Sequence, residues 1–253
     1  MLPLAGEGRP WYIPAMSSAA PRNPVYVALD TIDVAAAAAL ARRLAGHVGG
    51  LKLGLEFFSA NGPEGIRAVT GEAGLPLFLD LKFHDIPNTV AGAVRAVLPL
   101  RPRLLTVHAA GGPAMMRAAA EAAAEAGADR PRIVAVTVLT SLDPADLAAI
   151  GVAGDLGGQA ARLADLALSS GLDGIVCSPH EAAQLRARLG PEAILVVPGI
   201  RPKGADHGDQ KRVMGPAEAM AAGASHLVIG RPITAAADPA AAARGIAAEL
   251  GFS

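Results

Sequence analysis

Eight short runs of β-branched and apolar residues recur along this chain: Val25–Leu29, Gly50–Leu53, Leu77–Leu81, Leu104–His108, Ile133–Leu139, Gly174–Ser178, Ile194–Pro198 and His226–Gly230. Between them lie Ala-, Leu-, Arg- and Glu-rich segments with helical spacing, such as Asp33–His47, Pro113–Ala126, Pro179–Leu189 and Pro239–Leu250. Pro113, Pro179 and Pro239 stand near helix starts, where a missing N–H costs nothing. Gly127, Gly190, Gly223 and Gly251 follow helices, as C-terminal caps do. Strands alternating with helices spell a parallel sheet. Eight such units closing on themselves form a single α/β domain, the (β/α)8 TIM barrel, which runs to about 250 residues. An open doubly wound sheet is the alternative, but the glycine-rich dinucleotide loop expected after an early strand is missing. The longest intervals follow the fifth and seventh runs. In a barrel both would overhang the C-terminal face, where active sites sit.

Residues 1–24 are rich in Pro, Gly and Ser and lack periodicity, so they read as a disordered extension ahead of a barrel domain over residues 25–253. No basic stretch leads into an apolar core as in a secretory signal, and no apolar run reaches membrane-spanning length. The net charge of -1 gives no electrostatic case for nucleic acid or an anionic membrane. One cysteine, Cys177, excludes an intrachain disulfide and fits a reducing, cytoplasmic setting. It ends an apolar run, so it reads as packing.

The densest chemistry is Asp80-Leu81-Lys82-Phe83-His84-Asp85-Ile86-Pro87-Asn88-Thr89. On a strand Asp80 and Lys82 share a face, and opposite charges beside a lysine favour its ammonium form. A fixed proton donor beside a fixed negative charge suits a reaction that makes and quenches a carbanion. The plainer reading is a surface salt bridge at a strand end. Polar residues also close the other runs: Asp30, Lys52, His108, Thr140, Arg201 and Arg231. In a barrel these converge on one mouth. Lys52 lies in an apolar run and needs a carboxylate partner. His108 reads as a hydrogen-bonded core or supporting histidine, and His84 as a structural one. Gly230 and Arg231, at the last strand's end, suit a phosphate. The polar segment from Arg201 to Gly215, with Gln210, reads as a lid over an anion. No Cys/His set has metal-ligand spacing, so no metal site is expected.

On these motifs the chain resembles the bacterial orotidine 5'-phosphate decarboxylases, over roughly Val25 to Leu250. Supporting the long motif are Ala28-Leu29-Asp30, Lys52-Leu53-Gly54, Pro198-Gly199-Ile200-Arg201-Pro202, Gly208-Asp209-Gln210 and Ile229-Gly230-Arg231-Pro232-Ile233. The resemblance implies a homodimeric enzyme without cofactor or metal, which converts orotidine 5'-monophosphate to uridine 5'-monophosphate and carbon dioxide in de novo pyrimidine synthesis. It implies Lys82 as proton donor, Asp80 against the departing carboxylate, and Asp30 with Lys52 at the ribose hydroxyls and in the charge network. Asp85 and Thr89 would reach the neighbouring subunit's site. Thr140 would meet the pyrimidine edge, and Arg201, Gln210, Gly230 and Arg231 the phosphate. Gly215 departs from relatives that carry Thr there, a position expected to lie clear of the chemistry.

Two other readings compete. Magnesium-dependent keto-gulonate-phosphate decarboxylases and hexulose-phosphate synthases share the Asp-x-Lys-x-x-Asp pattern, but Lys52 is a poor magnesium ligand. A silent barrel that binds a nucleotide phosphate as a sensor is a different class. The filled charged positions argue against it.

Overall fold

The computed structural model describes residues 23–202 and 214–252. Eight parallel strands close into a barrel in sequence order, with β8 pairing back onto β1. They are β1 (Val25–Ala28), β2 (Gly50–Gly54), β3 (Leu77–Phe83), β4 (Leu104–His108), β5 (Arg132–Val136), β6 (Gly174–Val176), β7 (Ile194–Val197) and β8 (His226–Ile229). The helices outside are α1 (Val34–Leu44), α2 (Leu55–Ala73), α3 (Pro87–Val97), α4 (Gly112–Ala124), α5 (Pro144–Ala149), α6 (Leu156–Ser169), α7 (Ala182–Leu189), α8 (Pro216–Ala221), α9 (Arg231–Thr234) and α10 (Pro239–Glu249). Among the described residues, no helix is long and apolar enough to cross a membrane.

This is the expected (β/α)8 barrel, with boundaries shifted by a few residues. The fifth run stops early as a strand, at Val136, and just beyond it Thr137 donates both its N–H and its hydroxyl to the Val176 carbonyl. The segment from Pro179 opens as a single 3-10 turn before α7. The extra chain after β5 is α5, started by an Asp143 capping box. The glycines expected to end helices do so in the left-handed region, with φ between 57° at Gly127 and 97° at Gly223. Residues 1–22 of the N-terminal extension and residues 203–213 of the segment read as a lid, including Gln210, lie outside the described residues.

The alternation of the strands divides the core in two. Outward-facing residues such as Leu51, Leu53, Leu79 and Ile175 pack under the helices. Inward-facing residues Tyr26, Ala28, Phe78, Leu104, Val134, Val196 and Val228 fill the barrel. Tyr26 meets Phe78 and His226 edge-on, with ring centroids 5.9 and 5.2 Å away. Gly50 makes this possible: a Cβ there would stand 2.3 Å from the Tyr26 ring. Side chains thus fill the lower barrel beneath its C-terminal mouth.

Candidate active site

The inward positions at the mouth are charged. From β3, Asp80 and Lys82 project into the barrel two residues apart, and Lys82 Nζ donates to Asp80 Oδ2 at 2.7 Å. From β2, Lys52 Nζ lies 3.7 Å from the same Oδ2. It also lies 3.5 Å from Oδ1 of Asp30, which follows β1. Asp30, Lys52, Asp80 and Lys82 therefore alternate in sign around one arc of the rim. Lys52 and Asp80 side chains keep only 12% of their surface each, so their charges must be met locally. Burial pushes the Asp80 carboxyl up, but Lys52, Lys82 and the hydroxyl of Thr106 outweigh it and hold it below the ordinary carboxylate value.

β3 is not a regular strand here. Lys82 has φ +50°, a left-handed conformation that costs a non-glycine residue about 1–2 kcal/mol. Its backbone N–H donates to Thr106 Oγ1 at 2.8 Å, and that hydroxyl donates to Asp80 Oδ1 at 3.0 Å. Thr106 is fully buried on β4, and nothing in its apolar run singled it out.

A cavity of about 270 Å3 opens beside this arc. Its walls are apolar where β3, β5, β6 and β8 supply Phe78, Val136, Val176 and Val228, with Cys177 just after β6. Its rim carries Thr140 and Leu139 after β5, Gly199 and Arg201 after β7, and Gly230 and Arg231 after β8. Gly230 is the N-cap of the short helix α9, where barrels commonly seat a phosphate. Burial pushes the Cys177 thiol up, so it is a packing residue and no nucleophile. Arg201 is fixed at the root of its loop: its N–H donates to the Met214 carbonyl, and its guanidinium to the Ile200 carbonyl.

Asp30, Lys52, Asp80, Lys82, Thr140, Arg201, Gly230 and Arg231 thus all line one cavity. Asp85 and Thr89 do not. Both are exposed, Asp85 in the turn after β3 and Thr89 in the first turn of α3, and Asp85 accepts from the Ile86 N–H. His108 sits at the end of β4 with its Nδ1 buried and unbonded, where the sequence suggested a hydrogen-bonded histidine. It stacks instead on exposed His84, with centroids 5.5 Å apart. Burial, then His84 and Lys82, push its pKa down. Gly215 caps α8 and stands outside the cavity lining. Among the described residues, no three His, Cys, Asp or Glu side chains gather as a metal-binding group.

The Orotidine 5'-phosphate decarboxylase / HUMPS family model matches residues 23–246. The chain belongs to this family. Among its relatives is the orotidine 5'-phosphate decarboxylase of Rhodospirillum rubrum, 60% identical over 233 residues, which are 90% of this chain and 94% of the relative. That of Paramagnetospirillum magneticum is 59% identical over 91% of this chain and 99% of the relative. The crystal structure of the Lactobacillus acidophilus orotidine 5'-phosphate decarboxylase is similar with a TM-score of 0.80 at 36% identity, covering 90% of this chain and 99% of that one.

Removing one cation should unbalance this arc. In the folded wild type, Asp80 binds its proton less readily than in the unfolded chain, so it adds stability above about pH 4 that is lost on acidification. Lys52→Met lets burial raise the Asp80 carboxyl. The variant is expected to lose roughly 1–3 kcal/mol at pH 7, and the gap to wild type should narrow as pH falls from about 6 to 4. Urea denaturation across this range checks it; a gap independent of pH would contradict the coupling.

Proposed function

We propose that this protein is a carboxy-lyase that converts orotidine 5'-monophosphate to uridine 5'-monophosphate and carbon dioxide in pyrimidine biosynthesis, with Lys82 as proton donor and no cofactor. The observation that carries this reading is the alternating Asp30–Lys52–Asp80–Lys82 array, buried at Lys52 and Asp80, beside a cavity with apolar walls. Its family membership agrees with it.

Decarboxylation leaves an electron pair on a ring carbon, and nothing in an unaided pyrimidine spreads that charge. The site must stabilise it directly, and a held ammonium does so best where water is excluded. Lys82 is such a group: Asp80 anchors its Nζ at 2.7 Å, and its own backbone is fixed through Thr106. The ammonium first faces the developing charge and then passes a proton to the carbon. Asp80 sits against the departing carboxylate, and Asp30 with Lys52 grips the ribose hydroxyls. Lys52 lies between two carboxylates, at 3.5 and 3.7 Å, where a bridging divalent cation would otherwise stand. This supports a reaction that needs no metal. Thr140 meets the pyrimidine edge. Arg201, Gly230 and Arg231 hold the phosphate, together with Gln210 from the lid. Binding energy from that remote group can order the site around the reacting carbon.

Asp85 and Thr89 complete the site of a second subunit in a homodimer. Three things support this placement. Both residues are exposed and outside their own chain's cavity. Ile86 between them is 66% exposed. Ile32 and Leu55, 58% and 52% exposed, follow β1 and β2, the two strands that precede β3 around the barrel. Exposed apolar side chains at the same end of the barrel suit an interface. The proposed setting is the cytoplasm.

The direct test mixes the protein with orotidine 5'-monophosphate and follows the loss of substrate absorbance. Turnover is expected, and it should survive a strong chelator. Turnover that a chelator abolishes and magnesium restores would favour the synthase-like relatives; a measurable Kd for uridine 5'-monophosphate without turnover would favour a sensor.

The shared site has its own test. Inactive Lys82→Ala subunits are exchanged with inactive Asp85→Ala subunits, and exchange is verified by co-purification of two tags. In a mixed dimer one site collects both lesions and the other none, so random pairing should restore about a quarter of wild-type activity. Verified exchange without recovery would mean that Asp85 serves its own subunit.

A further inference from the structure

The ladder between β3 and β4 breaks at the reactive motif. Leu79 pairs with Leu105 and Phe83 with Val107, so β3 takes four steps where β4 takes two. Asp80, Leu81 and Lys82 lie in the resulting bulge. Backbone groups in a bulge lose their ladder partners and need others when buried. The Lys82 N–H finds its partner in a side chain, the Thr106 hydroxyl, at 2.8 Å. The same hydroxyl spends its single proton on Asp80 Oδ1, at 3.0 Å.

We infer that Thr106 is a positioning residue for the decarboxylation, its one hydroxyl fixing both the backbone that aims Lys82 and the rotation of the Asp80 carboxylate. With Oδ1 held by Thr106, Oδ2 is left to face both ammonium groups, Lys82 at 2.7 Å and Lys52 at 3.7 Å. Space alone does not demand threonine here. Valine has nearly the same shape, and the position is wholly buried. The need is for an atom that accepts from one direction while it donates in another, which a hydroxyl does and a methyl cannot. Without it, a buried N–H and a buried carboxylate oxygen both lose their partners. The bulge then has less to hold Lys82 at φ +50°, and its ammonium drifts from the reacting carbon.

This inference rests on the reading of Lys82 as proton donor, and its test separates the two. Thr106→Val, Thr106→Ser and Thr106→Ala are assayed for orotidine 5'-monophosphate turnover and, by calorimetry, for uridine 5'-monophosphate binding. Thr106→Val should lose roughly ten- to a hundredfold in kcat, as misplacement by a fraction of an ångström does. Its Kd for uridine 5'-monophosphate should stay within about twofold, because the groups proposed for the phosphate and ribose are untouched. Thr106→Ser keeps the hydroxyl and should stay within about threefold of wild-type kcat, while Thr106→Ala falls with valine. A folded valine variant with wild-type kcat overturns the inference. So does a parallel loss of kcat and nucleotide affinity, which would mark a purely structural role. If valine does not fold, the serine and alanine variants decide: equal impairment of the two overturns it. Lys82→Ala is run alongside. If Lys82→Ala stays active, the reading of Lys82 fails; if it is dead while Thr106→Val is unimpaired, only the role of Thr106 fails.

Discussion

A carboxylate removed from water must have its charge answered by the protein around it, and Asp80 retains 9% of its exposure. Two ammonium groups and a hydroxyl answer it. Each of these partners comes from a different constraint of the fold. Lys82 arrives by the alternation of β3, Lys52 by the parallel pairing of β2, and Thr106 by the register of β4. Take any one away and a buried charge is left poorly matched, which costs far more than a surface pair would contribute. The same matched cluster stands at the edge of the cavity with its ammonium already placed. Packing and chemistry are served by one arrangement.

The barrel was legible in the sequence because its signals repeat. Eight apolar runs, proline at helix starts and glycine at helix ends all agree, and local agreement of that kind selects one architecture. The mouth residues were legible for the same reason: ends of parallel strands converge. The bulge in β3 was not. It inserts two residues, an even number, so the inward face stays inward and the alternation of Asp80 and Lys82 reads as in a regular strand. Its signature is the φ of Lys82, which no residue type announces. Thr106 was missed because it sits among Leu105, Val107 and other strand formers, and its partner is set by register between two strands. The unbonded Nδ1 of His108 was not legible for a related reason. Its neighbour is the ring of His84, brought over it by the turn after β3.

The division of labour around the rim follows from the strand order. Arg201, Gly230 and Arg231 come from β7 and β8, while the charged array comes from β1 to β3. A nucleotide monophosphate has the same layout, with a dianion at one end, a polar sugar, and a flat base that fits apolar walls. The strain at Lys82 fits this picture too. A left-handed lysine persists only where its surroundings over-determine it, and such residues gather at functional sites.

The central claim is that the Lys82 ammonium supplies the proton that replaces carbon dioxide. The most direct measurement is the single-turnover rate of Lys82→Ala with orotidine 5'-monophosphate, beside its affinity for uridine 5'-monophosphate. The account expects turnover to vanish while the product still binds and the protein still unfolds cooperatively. Retention of a substantial share of the wild-type rate would contradict it.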